Sequence, residues 1–137
     1  MLKEFYTKAM PDEGVYCVAF NTPGTTSFNH EYTTSLEEAI TLIHKYTKES
    51  KNTFIAMGTF ETKERKAANT KYVKSLYLDL DVGETKDYAS QKEALLALTK
   101  FIEDTKLPFP AVVNSGNGIH AYWFLKTQIP RDQWKPI

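Results

Sequence analysis

The chain predicts an α+β fold, in which an N-terminal α/β unit precedes a sheet of the split β-α-β-β-α-β pattern, cut short before its last strand. Three observations carry this. From Lys74 onward the hydrophobic pattern runs strand, helix, strand, strand, helix. Two helices announce their starts with capping boxes, Ser35-Leu36-Glu37-Glu38 and Ser90-Gln91-Lys92-Glu93. The last two strands meet at a glycine-rich turn, Ser115-Gly116-Asn117-Gly118.

At 137 residues the chain is one domain or most of one, and 42% hydrophobic content supports a real core. Residues 14–21 (GVYCVAFN) are β-branched and aromatic and read as a strand. A polar loop with Pro23-Gly24 follows to His30. After the Ser35 cap, Leu36, Ala39, Ile40 and Ile43 keep helical spacing to about Glu49. Residues 52–60 read as one further strand, and residues 62–72 as a polar, basic loop or short helix. The strand at 74–82 contains Leu76-Tyr77-Leu78-Asp79-Leu80-Asp81. Ala94, Leu95, Leu98, Phe101 and Ile102 form the stripe of the next helix, which ends near Lys106 before Pro108. Strands at 110–114 and 119–125 follow, and Pro130 to Trp134 reads as the first turn of another helix. Trp123, Trp134 and the phenylalanines are expected in the core. The expected division is residues 1–62 for the first unit and 73–137 for the split sheet.

Composition narrows the function classes. Net charge is zero, which argues mildly against a dedicated nucleic-acid binder. Distribution says more: Lys63, Arg65, Lys66, Lys71 and Lys74 crowd before the aspartate strand, with Glu64 opposing. The single Cys17 excludes an intrachain disulfide and a cysteine-built zinc site, and fits a reducing cytoplasm. No apolar run approaches membrane-spanning length.

Asp79 and Asp81 share a strand face because strand side chains alternate. They could be ordinary solvent-facing residues. Yet aspartate is disfavoured in strand interiors, and two carboxylates on one face repel unless a cation sits between them. Oxygen ligands suit hard divalent cations such as Mg²⁺ or Mn²⁺. Asn117-Gly118 is on its own a hairpin turn, although glycines also let backbone N–H groups approach a phosphate. His120 follows that turn and alternates with Tyr122 and Phe124, opposite Ile119, Ala121 and Trp123. Around Lys63 to Lys74, Arg65 is suited to two-pronged phosphate binding, and Asn69 lies four residues after it. Two carboxylates, a glycine turn and a histidine together suggest phosphoryl transfer on a nucleotide.

The same residues resemble the archaeo-eukaryotic primase superfamily, and within it the phage and plasmid primase–polymerases. The family's first motif, a hydrophobic strand ending in two acidic residues one apart, is similar to Leu76 to Asp81. Its second, a small residue, any residue, then histidine, is similar to Gly118-Ile119-His120. Phage members are further resembled at Arg65 and Asn69, Tyr88-Ala89-Ser90, Leu107 to Pro110 and Gln133-Trp134. The resemblance implies an RRM-like sheet packed on the first unit, with the active site between them. It implies that Asp79 and Asp81 hold divalent metal. Ser115, Gly116, Asn117, Gly118, His120 and Arg65 would contact the nucleoside triphosphate. Lys63, Arg65, Lys66, Asn69 and Lys71 would meet a single-stranded DNA template.

The family's third motif, an acidic residue on a later strand, has no counterpart before Ile137, since Asp132 falls at a helix start. The chain is therefore expected to be an N-terminal fragment, a natural truncation, or a domain completed by a C-terminal segment or partner chain, and weakly active or inactive alone. The other reading kept open is a non-catalytic nucleotide or single-stranded nucleic-acid binding module. A rolling-circle initiator ranks last, because His120 is followed by Tyr122 where a His-x-His metal pair is needed. A two-metal nuclease remains compatible with the aspartates alone.

Overall fold

Alternating apolar residues and well-capped amphipathic helices produce a mixed α+β fold in a computed structural model, which describes residues 2–134. In chain order the elements are α1 (Leu2–Ala9), β1 (Tyr16–Asn21), β2 (Asn29–Thr33), α2 (Leu36–Lys48), β3 (Asn52–Ile55), β4 (Thr59–Phe60), β5 (Thr70–Asp81), α3 (Gln91–Thr105), β6 (Ala111–Asn114), β7 (Gly118–Pro130) and α4 (Arg131–Trp134). There is a three-stranded sheet, β2-β1-β3, and a four-stranded one, β4-β5-β7-β6. The chain forms two compact units, residues 2–74 with 125–134, and Ser75–Phe124. No helix among the described residues is long and apolar enough to cross a membrane.

In the first unit β1 is central and pairs antiparallel with both neighbours. Its alternate residues Tyr16 and Val18 pack with Met10 and with Ala39 of α2. Phe20 continues that face by stacking on Tyr46 of α2, with ring centroids 3.7 Å apart. The Tyr46 hydroxyl donates to the Glu31 carboxylate on β2. That bond, with a smaller contribution from burial, pushes the Tyr46 phenol up to about 12. Because the folded protein holds the neutral phenol, the contribution to stability is complete below the ordinary tyrosine value, about 10. It is lost as pH rises from there through about 12. A spectrophotometric titration of wild type minus Tyr46→Phe should show one phenol ionising near 12; ionisation of that phenol near 10 refutes it.

Both caps form, with altered wiring. Ser35 Oγ accepts from Glu38 N at 3.3 Å. The Glu38 carboxylate accepts from Thr33 Oγ1 at 2.5 Å, and Thr33 Oγ1 accepts from Ser35 N at 3.1 Å, so Thr33 relays the return arm. At α3, Ser90 Oγ accepts from Glu93 N at 3.2 Å, while Glu93 accepts from Ala89 N at 3.0 Å. Ser90→Ala should lower unfolding free energy by about 1 kcal/mol. Urea denaturation checks this, and an unchanged midpoint would mean that the cap is idle.

In the second unit the strands lie in the order β5, β7, β6, which is first, third, second along the chain. One sheet face is covered by α3: Leu80, Ile119 and Ala121 meet Ala94 and Leu98, with Val82, Tyr88, Ile102 and Trp123 packed around them. Parity then turns Tyr77, Asp79, His120 and Tyr122 to the other face.

Several expectations need correction. Residues 52–60 are two strands in two sheets: β3 pairs with β1, and β4 pairs with β5. The break falls at Ala56-Met57-Gly58, where Gly58 sits against the Tyr72 carbonyl, a Cβ there lying 3.0 Å from it. α1 and β2 are additional elements; β2 (NHEYT) is polar and short, and its strand form comes from pairing with β1. β5 starts at Thr70, taking in the end of the basic stretch, and β7 runs on to Pro130. Phe60 is buried, but Phe28, Phe54, Phe101 and Phe109 are exposed. Leu95 of the α3 stripe and the β5 residues Leu76 and Leu78 are also exposed, since α3 covers only the Leu80 end of β5.

Candidate active site

β5 delivers its carboxylates to the face opposite α3 because Leu80 and Val82 are held by the core on the other side. β7 sets His120 on that same face, between Ile119 and Ala121, both core residues. The two strands bring His120 Nε2 to 3.3 Å from Asp79 Oδ1. The ring's other nitrogen, Nδ1, is 3.2 Å from the Tyr122 hydroxyl. Tyr77 lies two residues before Asp79, and its ring centroid is 5.9 Å from that of Tyr122. The result is a connected row: Tyr77, Tyr122, His120, Asp79. Asp81 is one strand repeat further, about half exposed, with Lys86 Nζ at 3.9 Å from its Oδ2.

The turn before His120 is built by side chains of its own. Asn114 Oδ1 accepts from Gly116 N at 2.8 Å and from Gln91 Nε2 on α3 at 2.9 Å. Ser115 N donates to Gly118 O at 3.1 Å. Gly116 has φ +87°, so the central pair is Gly116-Asn117, with glycine in the position that a type II′ turn reserves for it. The Asn117-Gly118 pairing expected from sequence is thus shifted by one residue. Gly118 is needed for close strand approach instead, since a Cβ there would lie 2.1 Å from the Leu80 carbonyl oxygen. Asn117 O accepts from Val82 N at 2.9 Å, which ties the turn to the end of β5. The N–H groups of Ser115 and Gly116 are therefore already paired inside the turn.

On the α3 side, an open hollow of about 260 Å³ lies between Leu78 to Asp81 of β5 and Leu98 and Phe101 of α3, with Asp87 on its border; His120 does not line it. Among the described residues, no three His, Cys, Asp or Glu side chains converge to hold a metal ion. What the site offers is two half-exposed carboxylates with weak opposing contacts and an imidazole against one of them. Mg²⁺ is commonly held by one or two carboxylates, with water and phosphate oxygens completing its shell. This donor set fits such a cation.

The expected nucleic-acid residues belong to the first unit. Asn69 Nδ2 donates to the carbonyls of Thr62 and Glu64, at 3.1 and 2.7 Å, so its side chain closes the 62–69 loop. Lys66 pairs with Glu64 at 2.6 Å. Lys71 Nζ lies 5.5 Å from the centroid of the Tyr72 ring, within reach of a cation–π contact. Lys63 and Arg65 are exposed. Sequence reasoning singled out Asp79, Asp81 and His120 but not the roles of Tyr77, Tyr122, Asn114 and Gln91. The parity of Tyr77 with Asp79, and of Tyr122 with His120, was the available signal.

No protein-family model, curated protein or solved structure matches the chain.

Proposed function

We propose that the chain is the nucleotide-binding and metal-binding part of a primase–polymerase type nucleotidyltransferase, which adds nucleotides to a strand directed by a DNA template in phage or plasmid replication. The observation that carries the reading is the meeting of Asp79 with His120 at 3.3 Å on the sheet face opposite α3, with Asp81 one repeat away. A divalent cation on those carboxylates would neutralise charge on the triphosphate and lower the barrier for attack by a 3′-hydroxyl. Asp79 and Asp81 would hold it. Nε2 of His120, with its ring steadied by Tyr122 at Nδ1, donates to a phosphate oxygen. Ser115 and the Gly116–Gly118 turn shape the approach to it. Arg65, Lys63, Lys66 and Lys71 supply positive charge for nucleic-acid phosphates. Such chemistry, and a lone buried Cys17, suit the cytoplasm.

The test is calorimetric titration of a deoxynucleoside triphosphate into the chain with and without Mn²⁺. Binding that requires the metal is expected. A folded sample that binds no triphosphate in either condition would sink the proposal.

A further inference from the structure

The face of the β2-β1-β3 sheet turned away from α2 carries an aromatic surface with no part in the reaction proposed above. Ala19 is at its centre, directly opposite His30 on β2 and Phe54 on β3. Cys17 and Tyr32 form the next row. Phe54 is 55% exposed, and its ring meets exposed Phe28 edge to face at 5.6 Å. His30 lies along Tyr32, with centroids 6.4 Å apart and planes 26° from parallel. Ala19 and Cys17 are themselves buried, so the rings of Phe54, Phe28 and His30 form the exposed part of this face.

Alternation places no Asp or Glu on this face from any of the three strands, although the chain carries 17 acidic residues. Glu31, the only acidic residue in those strands, faces α2 and accepts from Tyr46. Arg65 is exposed and lies near this face, where its guanidinium opposes the upward push of burial on the Cys17 thiol.

Exposed rings, a neighbouring guanidinium and no carboxylate from the three strands match the needs of one class of ligand. Bases of a single strand stack on π faces, and their phosphates seek cations. Duplex DNA hides its base faces, and an apolar protein partner gives no reason to exclude carboxylates. We infer that this face binds single-stranded nucleic acid, with bases stacked on Phe54, Phe28 and His30 and phosphate met by Arg65. The inference deepens the proposed function by giving the template strand its own surface, and it shares only Arg65 with that reading.

The test is fluorescence anisotropy of a labelled oligothymidylate of about 16 nucleotides with the full chain. Binding stronger than to a duplex of equal length is expected. Phe54→Ala and Phe28→Ala should each weaken it about tenfold, while Phe54→Tyr retains it. Arg65→Gln should weaken it and flatten its salt dependence by about 0.7 in the log–log slope. Equal affinity for duplex, or indifference to Phe54→Ala in a protein of unchanged melting temperature, would overturn the inference. So would a sedimentation result in which Phe54→Ala dissolves a dimer and no oligonucleotide binds, which would assign the face to a second copy. Phe54-dependent binding without any metal-dependent triphosphate binding would leave this inference standing and remove the polymerase reading.

Discussion

Gly118→Ala is expected to lower the unfolding free energy by about 3 kcal/mol or more, the upper end of overpacking penalties and enough to unfold a marginal unit. A Cβ at residue 118 would lie 2.1 Å from the Leu80 carbonyl oxygen and 3.2 Å from Asp81 Cα. Those are backbone atoms, so no rotamer change relieves the overlap. β7 would have to part from β5 at the point where the two strands place Asp79 beside His120. Gly116→Ala is the control. Its Cβ meets nothing within 4 Å, and only its φ of +87° is strained, at about 1–2 kcal/mol. Chemical denaturation of both variants gives the comparison. Equal losses would mean that the close approach of β7 to β5 is not a constraint in solution.

Asp79→Asn should abolish metal-dependent triphosphate binding while leaving the melting temperature nearly unchanged. Asparagine keeps the shape and removes the charge, and Asp79 is half exposed, so little folding energy rests on it. Removing a metal carboxylate should cost at least the roughly 10–100-fold in affinity that follows loss of a supporting contact alone. In any form of the protein that incorporates nucleotides, the rate should fall roughly 10²–10³-fold. Asp81→Asn should behave alike, although loss of its repulsion with Asp79 and release of Lys86 soften the effect on binding. Asp87→Asn, at the border of the hollow, should retain most of the affinity. Wild-type binding by the Asp79→Asn protein would make the two aspartates ordinary strand residues and leave the binding-module reading in its place.

Much of the architecture was legible in the sequence where local chemistry is sufficient. Ser35 and Ser90 cap helices because a side-chain oxygen three residues ahead of a backbone N–H is a local fit. The alternation of Leu80 with Asp79 and Asp81, and of Ile119 and Ala121 with His120, settled which residues face α3, because a strand's period is two. β2 was missed because NHEYT has little strand preference of its own; its conformation comes from five paired positions on β1. The single strand expected at 52–60 failed for a related reason. Its apolar pattern is continuous, and only pairing with two different partners reveals the break at Gly58.

The exposed phenylalanines mark another limit. Composition places Phe inside, but Phe28 and Phe54 are exposed while Cys17 and Ala19 of the same sheet face are buried, and coverage is a property of the whole chain's path.

The sequence by itself determined the α+β class, the helix starts, the parity that sorts core from site, and the three residues Asp79, Asp81 and His120 as the chemical candidates. Only the tertiary structure decided that Asp79 and His120 meet at 3.3 Å, that Gly118 is required by the Leu80 carbonyl and Gly116 by the turn, and that Asn69 and Lys66 are engaged within their own loop. The physical reason is range. Capping and alternation act within a few residues, whereas the register of β5 against β7 and the covering of one sheet face are settled by contacts between segments some forty positions apart, on the order of the separation of Leu80 from Ile119.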